Sequence, residues 1–315
     1  MFAPPHHVAD GIRRVTFPLP TPPGHVHAYL LQGDDGWTLV DTGLGIPDLD
    51  ARLDTLVRVL DAPVTRIVIT HMHPDHVGGA EQAAWATGAP VLQGELDYAQ
   101  CERVWGNPAW PEHVADWFAA NGAPGAVTDD LRERGPIFAS YIRFARDPEP
   151  LSEGDRVAGW EVIELPGHAD GHVCLHRDGQ LVAGDHLLPT ISPTVGLYPE
   201  SRPDPLGDYL ASLERTIALA PSVAFPGHGE PIADPVARAR ELIAHHRRRL
   251  EETAAALDSA PRTGFDVSLV VFPNAQEPGV RRFAVAETLS HLERLVRESG
   301  AARHDDGGTV SYTDS

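Results

Sequence analysis

The hydrophobic pattern of the first ninety residues predicts strands followed by strand–helix units. Alternating and continuous apolar runs at 26–31 and 37–41 indicate strands of a β-meander over residues 8–41, joined by a Gly-Asp-Asp-Gly turn at 33–36. Apolar residues at helical spacing predict a helix from Pro47 to about Leu60. A buried strand is expected at 67–70 and a helix at 78–87, so the chain reads as mixed α/β from its start.

The middle of the chain changes character at residues 95–150. Aromatic residues are concentrated there among Pro and Gly breaks, namely Trp105, Trp110, Trp117, Phe118, Phe138, Tyr141 and Phe144. We predict short helices at 111–121, 127–134 and 137–146. A helical insertion in a β-rich fold tends to be a cap over the site, which we predict here, and a structural helical layer is the alternative.

The strand pattern then returns, and the chain ends with helices. Strands are predicted at 160–165, 173–176, 181–183 and 223–225, with an amphipathic helix at 206–217. A long helix opens at Pro235, a second spans about 281–299, and residues 302–312 indicate a hairpin around an Asp-Asp-Gly-Gly turn. We place a domain boundary near residue 235, giving domains 1–234 and 235–315, with 95–150 as an insertion in the first.

The segment 70–79 carries the densest chemistry of the chain. It reads T-H-M-H-P-D-H-V-G-G and directly follows an apolar strand. Zinc-like ions need N and O ligands that converge to about 2.0–2.2 Å, and three histidines with one aspartate on a short loop provide them. A chance cluster is the alternative in a chain with 17 histidines. Further Pro-Gly-His and Ala-Gly-Asp motifs downstream argue against chance: they end at His168, Asp185 and His228.

In this order, these residues make the chain resemble the metallo-β-lactamase-fold hydrolase superfamily over about residues 8–260. Residues 185–199 are similar to its glyoxalase II-like and lactamase-beta-2-like branch. The resemblance implies an α/β (α+β) fold, a four-layer αβ/βα sandwich with the helical insertion. The helix, helix, hairpin order at the C-terminus resembles a small winged-helix domain, which some members of the superfamily carry.

The resemblance also implies a ligand set for two divalent metal ions. One ion would be held by His71, His73 and His168, and the second by Asp75, His76 and His228, with Asp185 bridging both. Zinc is the expected metal, and iron or manganese would suit the same donors. A hydroxide shared by the two ions would attack a carbonyl or phosphorus centre, and Asp75 would orient it as a catalytic residue.

Several neighbours are candidates for supporting roles around the ligands. Asp41 is expected to fix imidazole tautomers from behind the site, or is merely a turn former. His172 and His186 lie beside ligands and are expected as hydrogen-bonding neighbours rather than direct ligands. His27 either lines the pocket or is a strand residue without a role at the site. Tyr198, Trp117 and Tyr141 are candidates for substrate contact, with a core role as the alternative.

Composition narrows the class of protein. All 25 basic residues are arginine, which excludes lysine-based catalysis, and the formal net charge is −20, which disfavours nucleic acid. No apolar run reaches the ~18 residues of a membrane span. The N-terminus lacks a signal-peptide pattern, and two cysteines without a CxxC motif fit a reducing cytoplasm. We therefore expect a cytoplasmic protein without a membrane partner.

The sequence favours hydrolysis of a small ester or thioester, such as an acyl-glutathione, an acyl-CoA or a carrier-linked acyl group. A metal-dependent endoribonuclease or phosphodiesterase is the alternative, supported by the C-terminal tail and the arginines at 247–249 and 281–282. A catalytically silent metal-binding regulatory module would have lost ligands, and none is lost. A small-molecule acyl substrate is the expected partner, nucleic acid is not expected, and a homodimer is left open.

Overall fold

The computed structural model describes residues 4–315, so the first three residues of the predicted catalytic domain lie outside it. Its first sheet has seven strands in chain order: β1 (His6–Ala9), β2 (Ile12–Pro18), β3 (His25–Gly33), β4 (Gly36–Val40), β5 (Val64–Val68), β6 (Val91–Gly94) and β7 (Glu149–Leu151). Strands β1 to β4 are antiparallel, and β4 to β7 are parallel. The predicted meander and the buried strand near residue 67 are confirmed.

The second sheet has the strand order β12-β11-β10-β9-β8. Its strands are β8 (Arg156–Val157), β9 (Trp160–Glu164), β10 (Val173–Arg177), β11 (Gln180–Gly184) and β12 (Val223–Pro226). The pairing is antiparallel except between β11 and β12. Parallel neighbours therefore end at the same edge in both sheets, β4 with β5 and β11 with β12, and such an edge is where open sheets collect functional groups.

Helices cover the outer faces of both sheets. On the first sheet lie α1 (Leu49–Val59), α2 (Pro74–Val77), α3 (Ala80–Thr87) and α4 (Glu95–Val104). On the second lie α7 (Pro205–Leu219) and α8 (Pro235–Ala255). The inner faces of the sheets pack on each other through Tyr29, Trp160 and Phe225, among others. Three apolar clusters thus separate four layers, which confirms the αβ/βα sandwich.

The insertion differs in detail from the prediction. Its helices are α4, α5 (Trp110–Ala120) and α6 (Gly125–Ala139), so the predicted helix at 137–146 is wrong. Helix α6 runs through Pro136 and ends at residue 139. The following backbone pairs with other segments instead: Gly45 N–H donates to the Tyr141 carbonyl and Arg143 N–H to that of Gly78. These long-range bonds replace the helical ones that the local pattern favours.

The C-terminal part continues from α8 into β13 (Arg262–Thr263), α9 (Gly264–Val271), α10 (Pro278–Arg297), β14 (Ala302–Asp306) and β15 (Thr309–Thr313). The predicted hairpin is confirmed, and β13 joins it in a sheet of order β13-β15-β14. Helices α5 and α6 share an apolar cluster with α7, α8, α9 and α10. Helices α5 and α6 therefore pack against the C-terminal part, and the role of the insertion as a cap stays a prediction. The winged-helix assignment and the boundary near 235 stay predictions.

Candidate metal centre

The candidate ligands meet where β5, β11 and β12 end. His71 and His73 follow β5, Asp75 and His76 lie on the short helix α2, Asp185 follows β11, and His228 follows β12. Pro74 at the first position of α2 is compatible with the helix because its missing N–H would have no partner there. His168 comes from the connection between β9 and β10. Elements distant in sequence thus converge at one edge of the sandwich.

The donor atoms form two adjacent sets. Ligand atoms of His71, His73 and His168 lie within 4.8 Å of one another, as do those of Asp75, His76 and His228. Nδ1 of His73 is 2.8 Å from Nε2 of His168, and Nε2 of His228 is 3.2 Å from an Asp75 oxygen. Imidazoles and carboxylates that face each other so closely are a typical arrangement of metal ligands.

Asp185 lies between the two sets. Its carboxylate oxygens are 3.4 Å from Nε2 of His76, 3.4 Å from Nε2 of His228 and 3.7 Å from Nε2 of His168. One carboxylate therefore faces nitrogens of both sets, as a shared ligand must.

The site contains buried polar atoms that no protein group satisfies. Nε2 of His71, Nε2 of His76 and Oδ1 of Asp185 are fully buried and have no hydrogen-bond partner among residues 4–315. Leaving such an atom unpaired costs about 1–3 kcal/mol. All three belong to the candidate ligand set, so these residues fit divalent cations.

The electrostatics of the site point the same way. Burial acts to lower the pKa of His76, but the surrounding carboxylates outweigh burial and raise that pKa well above its usual value. For His228, burial acts in the same direction, yet hydrogen bonds to Asp185 and Asp75 raise its pKa to about 10. Burial acts to raise the pKa of Asp185, but the imidazoles hold it well below its usual value. Nearby positive charge thus stabilises the buried carboxylates, and divalent cations would supply that charge.

The first set is electrostatically different. Burial lowers the pKa of His73 to about 3, with His168 adding to the effect, and burial lowers the pKa of His71 well below its usual value. Neutral imidazole is the form that binds a metal. Both histidines are therefore already in their ligating form near neutral pH.

Three of the ligand histidines have an acceptor on Nδ1 that fixes their tautomer. Asp41 accepts from Nδ1 of His76 at 2.8 Å, the Thr194 carbonyl from Nδ1 of His168 at 2.8 Å, and the His25 carbonyl from Nδ1 of His228 at 2.8 Å. A proton held on Nδ1 leaves Nε2 as the lone-pair nitrogen that faces the centre.

The chain matches the model of the Metallo-beta-lactamase superfamily over residues 21–228. It belongs to the metallo-β-lactamase superfamily. A second model, the Metallo-beta-lactamase-like, C-terminal domain, matches residues 250–315. The resemblance read from the sequence is thereby confirmed, and the chain is a metallo-hydrolase whose histidine and aspartate clusters indicate divalent metal binding.

Relatives agree with this assignment. The chain is 30% identical over 321 residues to the Probable metallo-hydrolase YqjP of Bacillus subtilis, covering 96% of this chain and 98% of that one. It is 23% identical over 282 residues to the Atrochrysone carboxyl ACP thioesterase of Emericella nidulans, covering 86% of this chain and 74% of that one. A solved metallo-beta-lactamase family protein of Thermus thermophilus superposes with a TM-score of 0.84 at 37% identity, covering 98% and 99% of the two chains.

Asp41 has the position predicted for it behind the ligands of this superfamily member. It is buried and holds a left-handed backbone conformation, with φ of 65°. Besides His76, it accepts from the backbone N–H and the hydroxyl of Thr70 at 2.8 Å each, and that hydroxyl lies 3.0 Å from Nδ1 of His71. One carboxylate thereby orients a histidine of each set.

The other predicted histidines lie next to the ligands. Nε2 of His172 accepts from the backbone N–H of Asp185 at 3.2 Å, and Nε2 of His186 is 2.7 Å from the Thr216 hydroxyl. His27 is buried beside His25, and its backbone N–H donates to the Gly227 carbonyl at 2.7 Å. Burial lowers the pKa of His27 to about 4. His172 thus bonds to the backbone of the ligand Asp185, His27 to the residue before the ligand His228, and His186 to helix α7.

The aromatic candidates lie elsewhere. Trp117 and Tyr198 pack against the cluster between the insertion and the C-terminal part, and Phe118 contacts Tyr198 edge to face at 6.3 Å. Burial raises the pKa of Tyr198 to about 12. Tyr141 packs against the outer face of the first sheet. A role of these three in substrate contact stays a prediction.

Sequence reasoning did not identify three groups that shape the site. The Thr194 and His25 carbonyls orient ligands, and any residue type can supply a carbonyl, so the sequence carries no signal for them. Gly227 is different: a Cβ there would lie 2.7 Å from Cε1 of His76 and closer still to Asp185. The Pro-Gly-His motif that contains Gly227 was the available signal.

Proposed function

We propose that this chain is a dinuclear-metal hydrolase of a small ester or thioester. The observation that carries the proposal is Asp185, whose carboxylate lies 3.4–3.7 Å from nitrogens of both histidine sets. When bound, two divalent cations, zinc or else iron or manganese, would supply Lewis acidity and a nucleophile derived from water.

The chain's own residues define the side from which a substrate approaches. The Asp75 side chain is 24% exposed, whereas that of His76 is fully buried. His228 and Asp185 are intermediate, with about a tenth of each side chain exposed. Asp75 is therefore more exposed than His76, His228 and Asp185, and it is placed to accept a proton or to orient a water molecule beside the substrate carbonyl.

Acyl transfer through a cysteine of the chain is disfavoured. Both cysteines, Cys101 and Cys174, are fully buried, and burial raises the pKa of each thiol well above its usual value. A reactive cysteine needs the opposite, an accessible thiolate. A water-derived nucleophile suits this site better. The name of the Emericella nidulans relative supports a thioester as the substrate class.

A phosphodiesterase finds less support. Two of the arginines that favoured it have structural partners: Arg249 donates to the Val271 carbonyl and lies over the Phe272 ring, and Arg281 is buried and donates to the Ser268 carbonyl. Arg247 and Arg248 are exposed. A formal net charge of −20 further disfavours a polyanionic substrate.

The test is a substrate panel with metal-quantified protein. It contains an acyl-CoA, an acyl-glutathione, an aryl oxoester, a chromogenic phosphodiester and a labelled RNA. We expect cleavage of a thioester or ester by the wild-type protein, and His73→Ala should abolish it. The control variant His7→Ala, which changes an exposed histidine outside the site, should keep full activity. Cleavage of the phosphodiester or RNA alone would overturn the proposal in favour of a phosphodiesterase. Full metal content with no cleavage of any substrate would favour a silent module.

A further inference from the structure

A second cluster of metal-binding residue types lies in the C-terminal helices, outside the superfamily's ligand set. His245 and His246 are consecutive on α8, and Glu287 lies on α10, which packs against α8. One ring nitrogen of each histidine and one carboxylate oxygen of Glu287 all lie within 4.8 Å of one another. Two helices distant in sequence thus contribute donors to one small volume.

A hydrogen-bond chain fixes the tautomer of His246. Nδ1 of His291 is 2.7 Å from the Glu287 backbone carbonyl, which can only accept, so the His291 proton is on Nδ1. Nε2 of His291 therefore carries a lone pair, and Nδ1 of His246, at 3.3 Å, must donate to it. The consequence is that Nε2 of His246 carries a lone pair.

The imidazoles of His246 and His291 are held in the neutral form that this hydrogen-bond chain requires. Burial lowers the pKa of His246 to about 2, with His291 and His245 adding to the effect. Burial likewise lowers the pKa of His291 to about 4. A metal-ligating histidine commonly donates its other ring N–H to an acceptor in the same way.

The free nitrogens of both cluster histidines have no partner. Nε2 of His245 and Nε2 of His246 are buried without a hydrogen bond among residues 4–315, and His246 is fully buried. A buried unpaired group costs about 1–3 kcal/mol, and a cation would satisfy the lone pair of His246 directly. His245 as a whole is half-buried, so it is the more exposed of the two cluster histidines.

The carboxylate completes a suitable donor set. Glu287 is 8% exposed, and its carboxylate faces the two histidine nitrogens across the gap between α8 and α10. Arg249 is a positive group whose charge acts on Glu287. Its guanidinium already donates to Glu252 and to the Val271 carbonyl. Two imidazoles and one carboxylate suit borderline divalent cations.

We propose that His245, His246 and Glu287 form an additional metal site, for a borderline divalent cation such as Zn²⁺, that ties α8 to α10. The site does not depend on the proposed function of the centre at Asp185. It does connect to that region: the His246 ring packs edge to face on Tyr209 at 5.4 Å, and the Tyr209 hydroxyl donates to the His186 carbonyl at 2.9 Å. A metal bound there would stabilise the packing of α8 and α10 behind Tyr209 and His186.

The experiment removes the catalytic ligands first. In a His73→Ala/Asp185→Ala/His228→Ala protein, stripped with a chelator and titrated with Zn²⁺ alone, we expect about one equivalent to bind per chain and to raise Tm. Adding Glu287→Gln, which keeps the side-chain shape, should abolish both the binding and the Tm increase. Adding His7→Ala, an exposed histidine on β1, should change neither.

The outcomes separate this site from the catalytic one. No residual Zn²⁺ binding in the triple variant, with its far-UV circular dichroism intact, would overturn the proposal. Residual binding that persists in both Glu287→Gln and His245→Asn backgrounds would also overturn it, because the ion would then be held elsewhere. If the triple variant does not fold, the same two substitutions are made in the wild-type chain. They should lower its metal content by one equivalent.

Discussion

Replacing Asp41 with asparagine tests how much the carboxylate behind the ligands contributes to metal binding. The substitution preserves shape, and asparagine tolerates the left-handed backbone conformation of residue 41 as well as aspartate does. The Thr70 N–H can still donate to Oδ1 of the new side chain. What changes is the atom that faces Nδ1 of His76 at 2.8 Å, where an N–H₂ donor replaces a carboxylate acceptor.

Two donors cannot hydrogen-bond to each other, so His76 either loses this bond or moves its proton to Nε2. The second choice removes the lone pair that the metal needs. A hydrogen bond to a charged group is worth about 1.5–3 kcal/mol, which corresponds to about 10–100-fold in affinity. Loss of partners behind metal ligands falls in the same range. We therefore expect the Asp41→Asn variant to bind Zn²⁺ about 10–100-fold more weakly.

The assay is a competition titration of metal-free protein against a chelator of known Zn²⁺ affinity at pH 7. Asp97→Asn is the matched control, since Asp97 is also buried but accepts from the Met72 N–H and from Gln93 instead of from a ligand. The Gln93 amide can turn to present its unpaired oxygen to the new N–H₂ group. Unchanged affinity in Asp41→Asn, or an equal loss in Asp97→Asn, would refute the reasoning.

Two further predictions concern a glycine and a titration. Gly227→Ala places a methyl group against His76 and Asp185, and the backbone hydrogen bonds of residue 227 keep it from moving away. We expect the metal content, measured by elemental analysis, to fall at least about tenfold. Circular dichroism should show that the variant still folds. Burial raises the pKa of Asp97 to about 7, so the folded state keeps a proton that the unfolded state releases near pH 4. The contribution of this proton to the free energy of unfolding is therefore lost as pH rises from about 4 to about 7. Denaturant unfolding of wild type and Asp97→Asn should show a stability difference that shifts in favour of the variant over that range, and parallel pH curves would contradict the assignment.

The sequence alone predicted the candidate ligands and most of the regular elements. The H-x-H-x-D-H segment and the three downstream motifs are local patterns, so the ligand types could be read directly from the chain. Strands and long helices were likewise predictable, because their apolar periodicity is set by burial on one or two faces. The four-layer arrangement and the family followed from these patterns through the resemblance, and both are confirmed.

Tertiary structure decided what local patterns cannot encode. The break after residue 139 depends on hydrogen bonds from 141–143 to Gly45 and Gly78, which are distant in sequence, so helical propensity was a poor guide there. The orientation of His168 depends on the Thr194 carbonyl, a group that carries no side-chain signature. The His245, His246 and Glu287 cluster exists only because α8 and α10 pack together. Contacts between remote segments arise from packing, and one sequence does not show which of its distant residues will meet.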